Sequence, residues 1–565
     1  MHGCRRREEA DLLNSTGLRL LRSAAAAEFC GRLLLLAALA FGCWSHASPA
    51  ASRAARPNLL IFLADDLGFS DLGCYGGEIA TPNLDALAAN GLRFTQFYNT
   101  ARCWPTRAAI LTGYYAQAIR RDTVLGVRSG AGGTRPAWAQ LLPRMLQPLG
   151  YRSFHSGKWH VDGTPLTGGF DRSYRLDDGG RYFNPTAHFL DDQRLPAVKR
   201  EDGYYSTIAI ADRAIEFLKD HQSHHGGEPF FGYVCFTAPH FPLHALPEDI
   251  AKYRDRYRVG WDVIRRQRWE RAKKLGIVRH NLSPVERDVG PPYDFPEALK
   301  KLGQGETNRP VPWTELSDAQ REFQATKMAI HAAMTGRMDR EIGRVLDQLR
   351  AMGAMSNTLI LFLSDNGASA EIMVRDDGHD PDAVPGSAGT HLCLGPGWSS
   401  AANSPLRRHK TWVHEGGIAT PLIVHWPAGI KARGQLRHTP GHVVDIAPTF
   451  LELAGGQWPA QLGEVAVPPN HGISIRGFFS GDRNLRRDSI WWAHEGNRAV
   501  RVGNWKLVAA KKGSTQGAWE LYDLSRDRTE TKNLAAQRPA RVRELDLEWQ
   551  RCTDEFSALA VQAKD

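Results

Sequence analysis

The sequence has few cysteines, and their spacing fits neither a disulfide framework nor a zinc site. Three of the eight lie in the first 47 residues, at Cys4, Cys30 and Cys43, and the other five are scattered between Cys74 and Cys552. Small disulfide-stabilised scaffolds carry dense cysteines, and structural zinc sites carry closely spaced pairs. Both classes are therefore excluded for this chain of 565 residues, although a single disulfide pair stays open.

The sequence also lacks a basic run interleaved with aromatic residues and an apolar run long enough to cross a bilayer. The formal charge of +10 is spread along the chain, so we expect a mildly basic surface and no nucleic-acid partner. The apolar run 33–42 has ten residues, whereas a membrane span needs about 20. We therefore expect no stable membrane span.

The first 47 residues are predicted to be an export signal. Arg32 precedes the apolar run, and Ser45-His-Ala47 offers a small-x-small site for cleavage after Ala47. We therefore expect an exported protein, either periplasmic or extracellular. Cys43 after Gly42 resembles a lipoprotein acceptor site, which leaves a lipid anchor as the alternative.

Apolar runs alternate with helical patterns through the next 400 residues or so. Continuous apolar runs predict buried strands at 59–64, 230–236 and 358–363, and shorter segments predict further strands at 151–155 and 422–425. Helical patterns predict helices at 81–89, 103–112, 212–218, 318–351 and 442–453. The alternation predicts an α/β catalytic domain at 48–470, with a large, mostly parallel sheet flanked by helices.

The pattern changes near residue 470. Short alternating strands are predicted at 489–493, 499–502, 505–508 and 519–524, followed by a helix at 539–556. We therefore predict a smaller antiparallel sheet with a helix at 471–565.

Two long polar stretches interrupt the α/β pattern. Residues 245–320 are predicted to be a surface insertion, and 368–405 a long loop rich in glycine and serine. Because such segments often shape a pocket, we expect them to form its rim. His244, Trp398 and Trp412 are candidate rim groups, and packing in the interior is the alternative for each.

Polar clusters directly follow four of the predicted strands. Ligand sites in open α/β sheets form outside the carboxyl ends of the strands. If these strands are parallel neighbours, the clusters meet at one edge. The clusters are Asp65-Asp66, Lys158 with His160, His240, and Asp365-Asn366.

Two of these clusters supply only oxygen ligands. Adjacent carboxylates such as Asp65 and Asp66 cannot both stay ionised in a shared pocket without a cation. With Asp365 and the amide oxygen of Asn366, they form a set that suits Ca²⁺ or Mg²⁺ better than zinc. Capping of the next turn is the alternative for the Asp65-Asp66 pair.

The remaining clusters supply cations and imidazoles. Lys158, Lys410 and Arg107 are groups of the kind that hold a tetrahedral oxyanion. His160 and His240 exchange protons near neutral pH. Each of these side chains alone is more often solvated or packed, so the hypothesis depends on their being together.

A further segment carries a resemblance to a known family. Cys103-Trp-Pro-Thr-Arg107 stands at a predicted helix start and resembles the C-x-P-x-R segment of type I sulfatases, within the alkaline-phosphatase-like superfamily. The likeness extends over about residues 56–555 and is closest to the arylsulfatase branch. Trp104 and Thr106 depart from the small residue and serine of many members. Other segments resemble family blocks in the same order, at 58–66, 157–160, 238–240, 364–367 and 410–417.

The resemblance implies that Cys103 is oxidised to formylglycine by a formylglycine-generating or anaerobic sulfatase-maturating enzyme. The hydrated aldehyde would then be the nucleophile. The resemblance also implies that Ca²⁺, rather than Mg²⁺, is bound by Asp65, Asp66, Asp365, Asn366 and the residue at position 103.

The same resemblance implies roles for the cations and imidazoles. Arg107 and Lys158 would hold the hydrate and the metal shell in place. His160 would help to expel sulfate. His240 and Lys410, together with Lys158, would contact the sulfate and the leaving-group oxygen.

The expected reaction is hydrolysis of a small sulfate monoester to sulfate and an alcohol or phenol. Two alternatives stay open. A phosphomonoesterase or phosphodiesterase on the same scaffold is one, because phosphate esters are also tetrahedral anions. A non-catalytic binding protein with unmodified Cys103 is the other.

Overall fold

The fold is built on one large sheet whose middle strands are the apolar runs of the sequence. A computed structural model describes residues 56–562, apart from 376–377, 483–486 and 513–514, so the predicted leader 1–47 lies outside the described residues. The strands of the large sheet are β1 (Asn58–Ala64), β2 (Leu92–Tyr98), β3 (Arg152–Lys158), β4 (Arg172–Leu176), β5 (His188–Leu190), β6 (Gln193–Arg194), β7 (Phe230–Cys235), β8 (Thr358–Ser364), β9 (Ala419–His425), β10 (Gln435–Arg437) and β11 (Gly441–His442).

The strands lie in the order β10-β2-β9-β8-β1-β7-β3-β4-β5-β6, with β11 paired to β2. The central strands β3, β7, β1 and β8 are parallel neighbours. Antiparallel pairing occurs to either side, where β9 joins β8 and β2, and where β5 joins β4 and β6. The prediction of a large, mostly parallel sheet is confirmed.

The strand β1 shows why its sequence is apolar throughout. Leu60 and Phe62 pack into the core on one face of the sheet, and Leu59 and Ile61 pack into the core on the other face. All four side chains are fully buried. A strand covered on both faces cannot alternate with polar residues, which produces the continuous run.

Helices cover both faces. They are α1 (Pro82–Ala89), α2 (Cys103–Thr112), α3 (Leu142–Leu146), α4 (Ser206–His225), α5 (Pro247–Ile250), α6 (Trp261–Lys274), α7 (Pro296–Leu302), α8 (Asp318–Ala351), α9 (Gly395–Ala402), α10 (Glu415–Ile418), α11 (Ile446–Leu453) and α12 (Pro539–Gln562). The helices α4, α6 and α8 pack on one face, and α2, α3, α11 and α12 contribute to the other.

The helix α8 has the bounds predicted from sequence. Ser317 accepts a hydrogen bond from the Gln320 amide at 3.2 Å, and the Gln320 side chain accepts one from the Ser317 amide at 2.9 Å. This reciprocal pair satisfies two amides at the helix start. Other predictions needed correction: α4 is longer than 212–218, α11 begins after a short turn, and the loop 368–405 contains α9.

The C-terminal region contains the smaller sheet. Its strands, and those of two separate short hairpins, are β12 (Gln461–Leu462), β13 (Val465–Ala466), β14 (Ile490–His494), β15 (Asn497–Val502), β16 (Trp505–Ala509), β17 (Lys511–Lys512), β18 (Thr515–Gln516) and β19 (Glu520–Asp523). The order β14-β15-β16-β19 is antiparallel, and α12 packs on β15 and β16. The predicted small sheet with a helix is confirmed, and the boundary at 470/471 stays a prediction.

Candidate active site

The four polar clusters meet at one edge of the large sheet, because the strands that precede them are parallel neighbours. The helix α2 brings Cys103 to the same place. The Cys103 sulfur and carboxylate oxygens of Asp65 and Asp365 all lie within 4.8 Å of one another. The backbone is in the left-handed region at Asp66 and His160, with φ of 65° and 56°, a conformation that is uncommon for residues other than glycine.

The start of α2 is fixed by a hydroxyl. The Thr106 hydroxyl oxygen accepts a hydrogen bond from the Thr100 amide at 3.1 Å and lies 2.7 Å from the Thr100 hydroxyl. Threonine therefore keeps the hydroxyl that serine would supply at this position. The turn that carries Cys103 into the site is held in place by this contact.

Arg107 and Lys158 fix two of the carboxylates. Arg107 is fully buried, and its Nε and Nη2 donate to Asp365 Oδ2 at 3.0 and 2.8 Å. Its Nη1 donates to the Lys158 carbonyl oxygen at 2.8 Å. Lys158 Nζ contacts Asp65 Oδ2 at 2.5 Å. These contacts hold the two carboxylates close together although both are buried.

Lys410 joins a second group of charges. Its Nζ lies 2.9 Å from Asp66 Oδ1, 3.0 Å from Glu371 Oε2 and 3.3 Å from His240 Nε2. Burial lowers the pKa of His240, so its neutral ring accepts the hydrogen bond from the lysine. Arg102 Nη1 donates to Glu371 Oε1 at 3.1 Å.

Sequence reasoning missed Arg102 and Glu371. The position of Arg102 directly before Cys103 was an available signal. Glu371 lies in the long loop 368–405, and no local pattern distinguishes it from other loop carboxylates. Its pairing with Lys410 depends on how this loop folds over the site.

The oxygens of the site fit a hard divalent cation. Asp65 Oδ1 and Asn366 Oδ1 are buried and have no hydrogen-bond partner. Burial and the negative charge of Asp65 raise the pKa of Asp365 to about 7. Burial alone would raise the pKa of Asp65 as well, but the positive charge of Lys158 holds it far below its usual value. A cation coordinated by these oxygens would relieve the crowding of negative charge.

The site opens into a cavity of about 680 Å³. Cys103, Lys158, His160, His240 and Lys410 all contribute to its wall. The cavity therefore gives a ligand direct access to the predicted nucleophile and to both lysines.

Known proteins share this arrangement of sheet and C-terminal region. The family profile described as Sulfatase matches residues 57–456. The chain belongs to the sulfatase family. A second profile, described as N-sulphoglucosamine sulphohydrolase, C-terminal, matches residues 408–550.

Individual relatives agree with this assignment. An uncharacterized sulfatase of Schizosaccharomyces pombe is 34% identical over 87% of this chain and 93% of the relative. The arylsulfatase of Klebsiella aerogenes is 30% identical over 78% of this chain and 96% of that enzyme. The solved structure of Ps i-CgsB has a TM-score of 0.61 at 23% identity, with 88% and 93% of the chains covered, which shows the shared fold.

This sulfatase is accordingly a sulfuric ester hydrolase with an alkaline-phosphatase-like fold. The roles of the individual site residues stay predictions. Across the described ranges, the helices fall short of the length and apolar character needed to cross a membrane.

The predicted rim of the sulfatase cavity is partly wrong. The loop 368–405 contributes Glu371, Arg375 and His391 to the wall, but among the described residues the insertion 245–320 contributes none. None of the three candidate rim groups lines the cavity. Trp398 packs in the interior against Trp261 and Trp313, and His244 and Trp412 are also buried.

The cysteine at position 103 of the sulfatase is a poor nucleophile in its unmodified form. Burial raises the pKa of the Cys103 thiol above its usual value, so the thiol is protonated at neutral pH. A thiolate is the reactive form of cysteine. The environment of this residue therefore disfavours direct attack by its sulfur.

Proposed function

We propose that this sulfatase hydrolyses a small sulfate monoester at the carboxyl edge of the sheet, with position 103 converted to formylglycine. Asp65, Asp66, Asp365 and Asn366 would hold Ca²⁺ there. The observation that carries the proposal is the pair of buried, unpartnered oxygens of Asp65 and Asn366 at the edge where the Cys103 sulfur lies within 4.8 Å of carboxylate oxygens of Asp65 and Asp365.

The implied groups bring the chemistry that the unmodified chain lacks. When present, the cation polarises sulfuryl oxygens, and the hydrated aldehyde offers two hydroxyls on one carbon, one for attack on sulfur and one for release of sulfate. A cysteine side chain has no second hydroxyl. This difference supports a need for the modification.

Lysines of the chain would bind the ester. Lys158 and Lys410 line the cavity, and their ammonium groups would offset the negative charge of the sulfuryl oxygens and the charge that develops on the leaving-group oxygen as the S–O bond breaks. Arg107 does not line the cavity, so its role would be to orient Asp365 and the backbone at Lys158.

The two imidazoles would handle protons. Burial lowers the pKa of His160 well below its usual value, so the ring is neutral and its Nδ1, which has no hydrogen-bond partner, can accept a proton as sulfate leaves. His240 Nε2 contacts Lys410 Nζ, so this pair would serve the leaving-group oxygen. His160 would then act as a general base, and Lys410 Nζ would be the donor to the leaving-group oxygen, because the neutral His240 ring accepts from it.

Export and maturation belong to the same proposal. We expect the protein in the periplasm or outside the cell, after a maturating enzyme has oxidised Cys103. The sequence alternatives remain phosphoester hydrolysis and binding without catalysis. The proposed sulfatase activity and these two alternatives predict different results in the same assay.

The test is a comparison of 4-nitrophenyl sulfate with 4-nitrophenyl phosphate on protein produced with a maturating enzyme. Mass spectrometry of the tryptic peptide 103–107 monitors conversion, which lowers its mass by about 18 Da. We expect kcat/KM to be at least about 100-fold higher for the sulfate ester. Faster phosphate hydrolysis supports the phosphoesterase. A peptide 103–107 that keeps the mass of unmodified cysteine, together with inactivity on both esters, supports the binding protein.

A further inference from the structure

Trp104 lies beside the nucleophile position and is held by three neighbouring groups. Its indole lines the cavity. The Arg102 Cζ lies 5.2 Å from its ring centroid. The rings of His160 and His494 each lie 5.6 Å from it, centroid to centroid, in edge-to-face contact. Contacts of both kinds favour one orientation of the indole.

The groups around Trp104 are fixed in turn. His494 Nδ1 lies 2.8 Å from Asp122 Oδ2, and both residues are buried. The same carboxylate oxygen accepts a hydrogen bond from Gln117 Nε2 at 3.2 Å. Arg102 donates to Glu371 and also to the Thr411 hydroxyl at 3.1 Å. The indole is therefore backed by two groups of hydrogen-bonded side chains, which limit its movement.

A second ring lies near the cations of the same cavity. The Phe241 ring lines the cavity, and its centroid lies 5.6 Å from Lys410 Nζ. The proposed sulfate-binding lysines are thus accompanied by two aromatic side chains, Phe241 and Trp104. A linear alkyl alcohol offers only a narrow, flexible chain to such rings, whereas a flat ring face can bury more apolar area against them.

We propose that Trp104 is a specificity-determining residue, which selects sulfate esters whose alcohol presents a flat ring face next to the sulfated oxygen. This inference rests on the proposed function, because it concerns hydrolysis at position 103. A wall that is already ordered loses little conformational entropy when the ester binds. Trp104 therefore favours ring esters over linear alkyl esters without touching the sulfuryl group.

The test compares kcat/KM for phenyl sulfate, a pyranose sulfate and a linear alkyl sulfate. We expect the ratio of kcat/KM for the ring ester to kcat/KM for the linear ester to fall by at least about tenfold in Trp104→Ala. In Trp104→Phe the same ratio should fall by no more than about threefold. The phenyl and pyranose arms distinguish an aromatic from a sugar ring as the source of the flat face. Trp519→Ala, which removes a partly buried indole from the C-terminal region, is the matched control and should leave both ratios unchanged.

Maturation needs its own control, because Trp104 lies within the segment that the maturating enzyme would recognise. Rates are therefore expressed per aldehyde, measured on the peptide 103–107. His494→Ala leaves that segment unchanged but removes one support of the indole, so the ratio should fall in the same direction by about threefold. This variant decides the test if Trp104→Ala is not converted.

Two results have different meanings. Unchanged ratios in converted Trp104→Ala, or in His494→Ala if the first variant is not converted, overturn the specificity role. A fully converted wild-type protein that hydrolyses none of the three esters contradicts the proposed function instead.

Discussion

Asp365 and Glu530 are two buried carboxyl groups with similar electrostatics and different surroundings. Burial raises the pKa of each to about 7, and a neighbouring carboxylate adds to the shift in both cases. Asp365 lies at the end of β8 in the candidate site. Glu530 lies after β19, where the C-terminal region packs against α10.

The surroundings of Glu530 are closed, although its Oε1 also has no hydrogen-bond partner of regular geometry. Its Oε1 lies 2.8 Å from Lys506 Nζ, which also contacts Glu415 Oε1 at 3.0 Å. Arg528 Nε donates to Glu415 Oε2 at 2.9 Å. Each carboxylate of this cluster has a cation in direct contact, as those of the candidate site do, but none of its residues lines the cavity.

The surroundings of Asp365 include oxygens without hydrogen-bond partners and a residue that lines the cavity. The neighbouring Asp65 Oδ1 and Asn366 Oδ1 have no hydrogen-bond partner, and Asp65 also lines the cavity. A perturbed pKa is thus shared by a structural and a candidate catalytic carboxyl, and it does not separate them. The position of the unpartnered oxygens beside a cavity distinguishes the candidate site from the Glu530 cluster.

The largest expected effect comes from neutralising each carboxyl with its amide. Asp365→Asn should lower kcat/KM for an aryl sulfate by at least about 1,000-fold, because it removes a proposed metal ligand. Glu530→Gln should change kcat/KM by less than about threefold. The measurements are steady-state rates and bound metal per chain for both variants.

Asp365→Asn and Glu530→Gln are matched controls for each other, since each change removes one buried charge and keeps the shape of the side chain. Equal losses of activity in the two variants would contradict the distinction drawn between the clusters. So would a full complement of bound metal in an inactive Asp365→Asn protein.

Removal of metal should affect only the first cluster. Treatment with a chelator is expected to lower aryl sulfate hydrolysis by at least about 100-fold, with recovery on addition of Ca²⁺. The metal-free protein should also unfold at a lower temperature, because a ligand bound to the native state stabilises it by about 3 kcal/mol at 100 times its Kd. Full activity in protein shown to be free of metal would refute a catalytic cation.

Lys506→Met tests the second cluster by removing the cation that Glu415 and Glu530 share. Breaking a buried ion pair leaves uncompensated charge and costs about 3–5 kcal/mol of stability, or roughly 3–5 °C in Tm for a chain of this size. We expect kcat of the folded variant to stay within about threefold of the wild type. A large loss of kcat at an unchanged Tm would show that this cluster acts in catalysis.

The smallest expected effect is a pH dependence of stability. Because the pKa of Glu530 rises from 4.5 to about 7 on folding, its contribution is complete below pH 4.5 and is lost as the pH rises to 7. Glu530→Gln has no carboxyl group to titrate, so it does not lose this contribution to the free energy of unfolding, which is on the order of 2 kcal/mol. The Tm of the variant relative to wild type should therefore rise by roughly 2 °C between pH 4.5 and 7, and a constant difference would argue against the shift.

Much of the framework of the site was predictable because it depends on burial. The strands β1, β7 and β8 are buried on both faces, so each appears as an apolar run with a polar cluster after it. The helix α8 has clear apolar periodicity and a capping pair at its start. Parallel pairing of these three strands and β3 then brought the clusters together.

Other features could not be predicted because they depend on contacts far apart in sequence. The strand β2 is interrupted by Arg93 and Gln96, which weaken its apolar pattern, and its partner β9 follows more than 300 residues later. Trp398 lies among glycines and serines that are typical of a loop, yet it is buried in α9. The pairing of Glu371 with Lys410 likewise appears only in the folded chain.

The most direct test of the central claim is the dependence of activity on conversion at position 103. Protein batches with different fractions of aldehyde in the peptide 103–107 are assayed with 4-nitrophenyl sulfate at saturating Ca²⁺. We predict a rate proportional to the aldehyde fraction and close to zero for unconverted protein. An equal rate in unconverted protein would contradict the account.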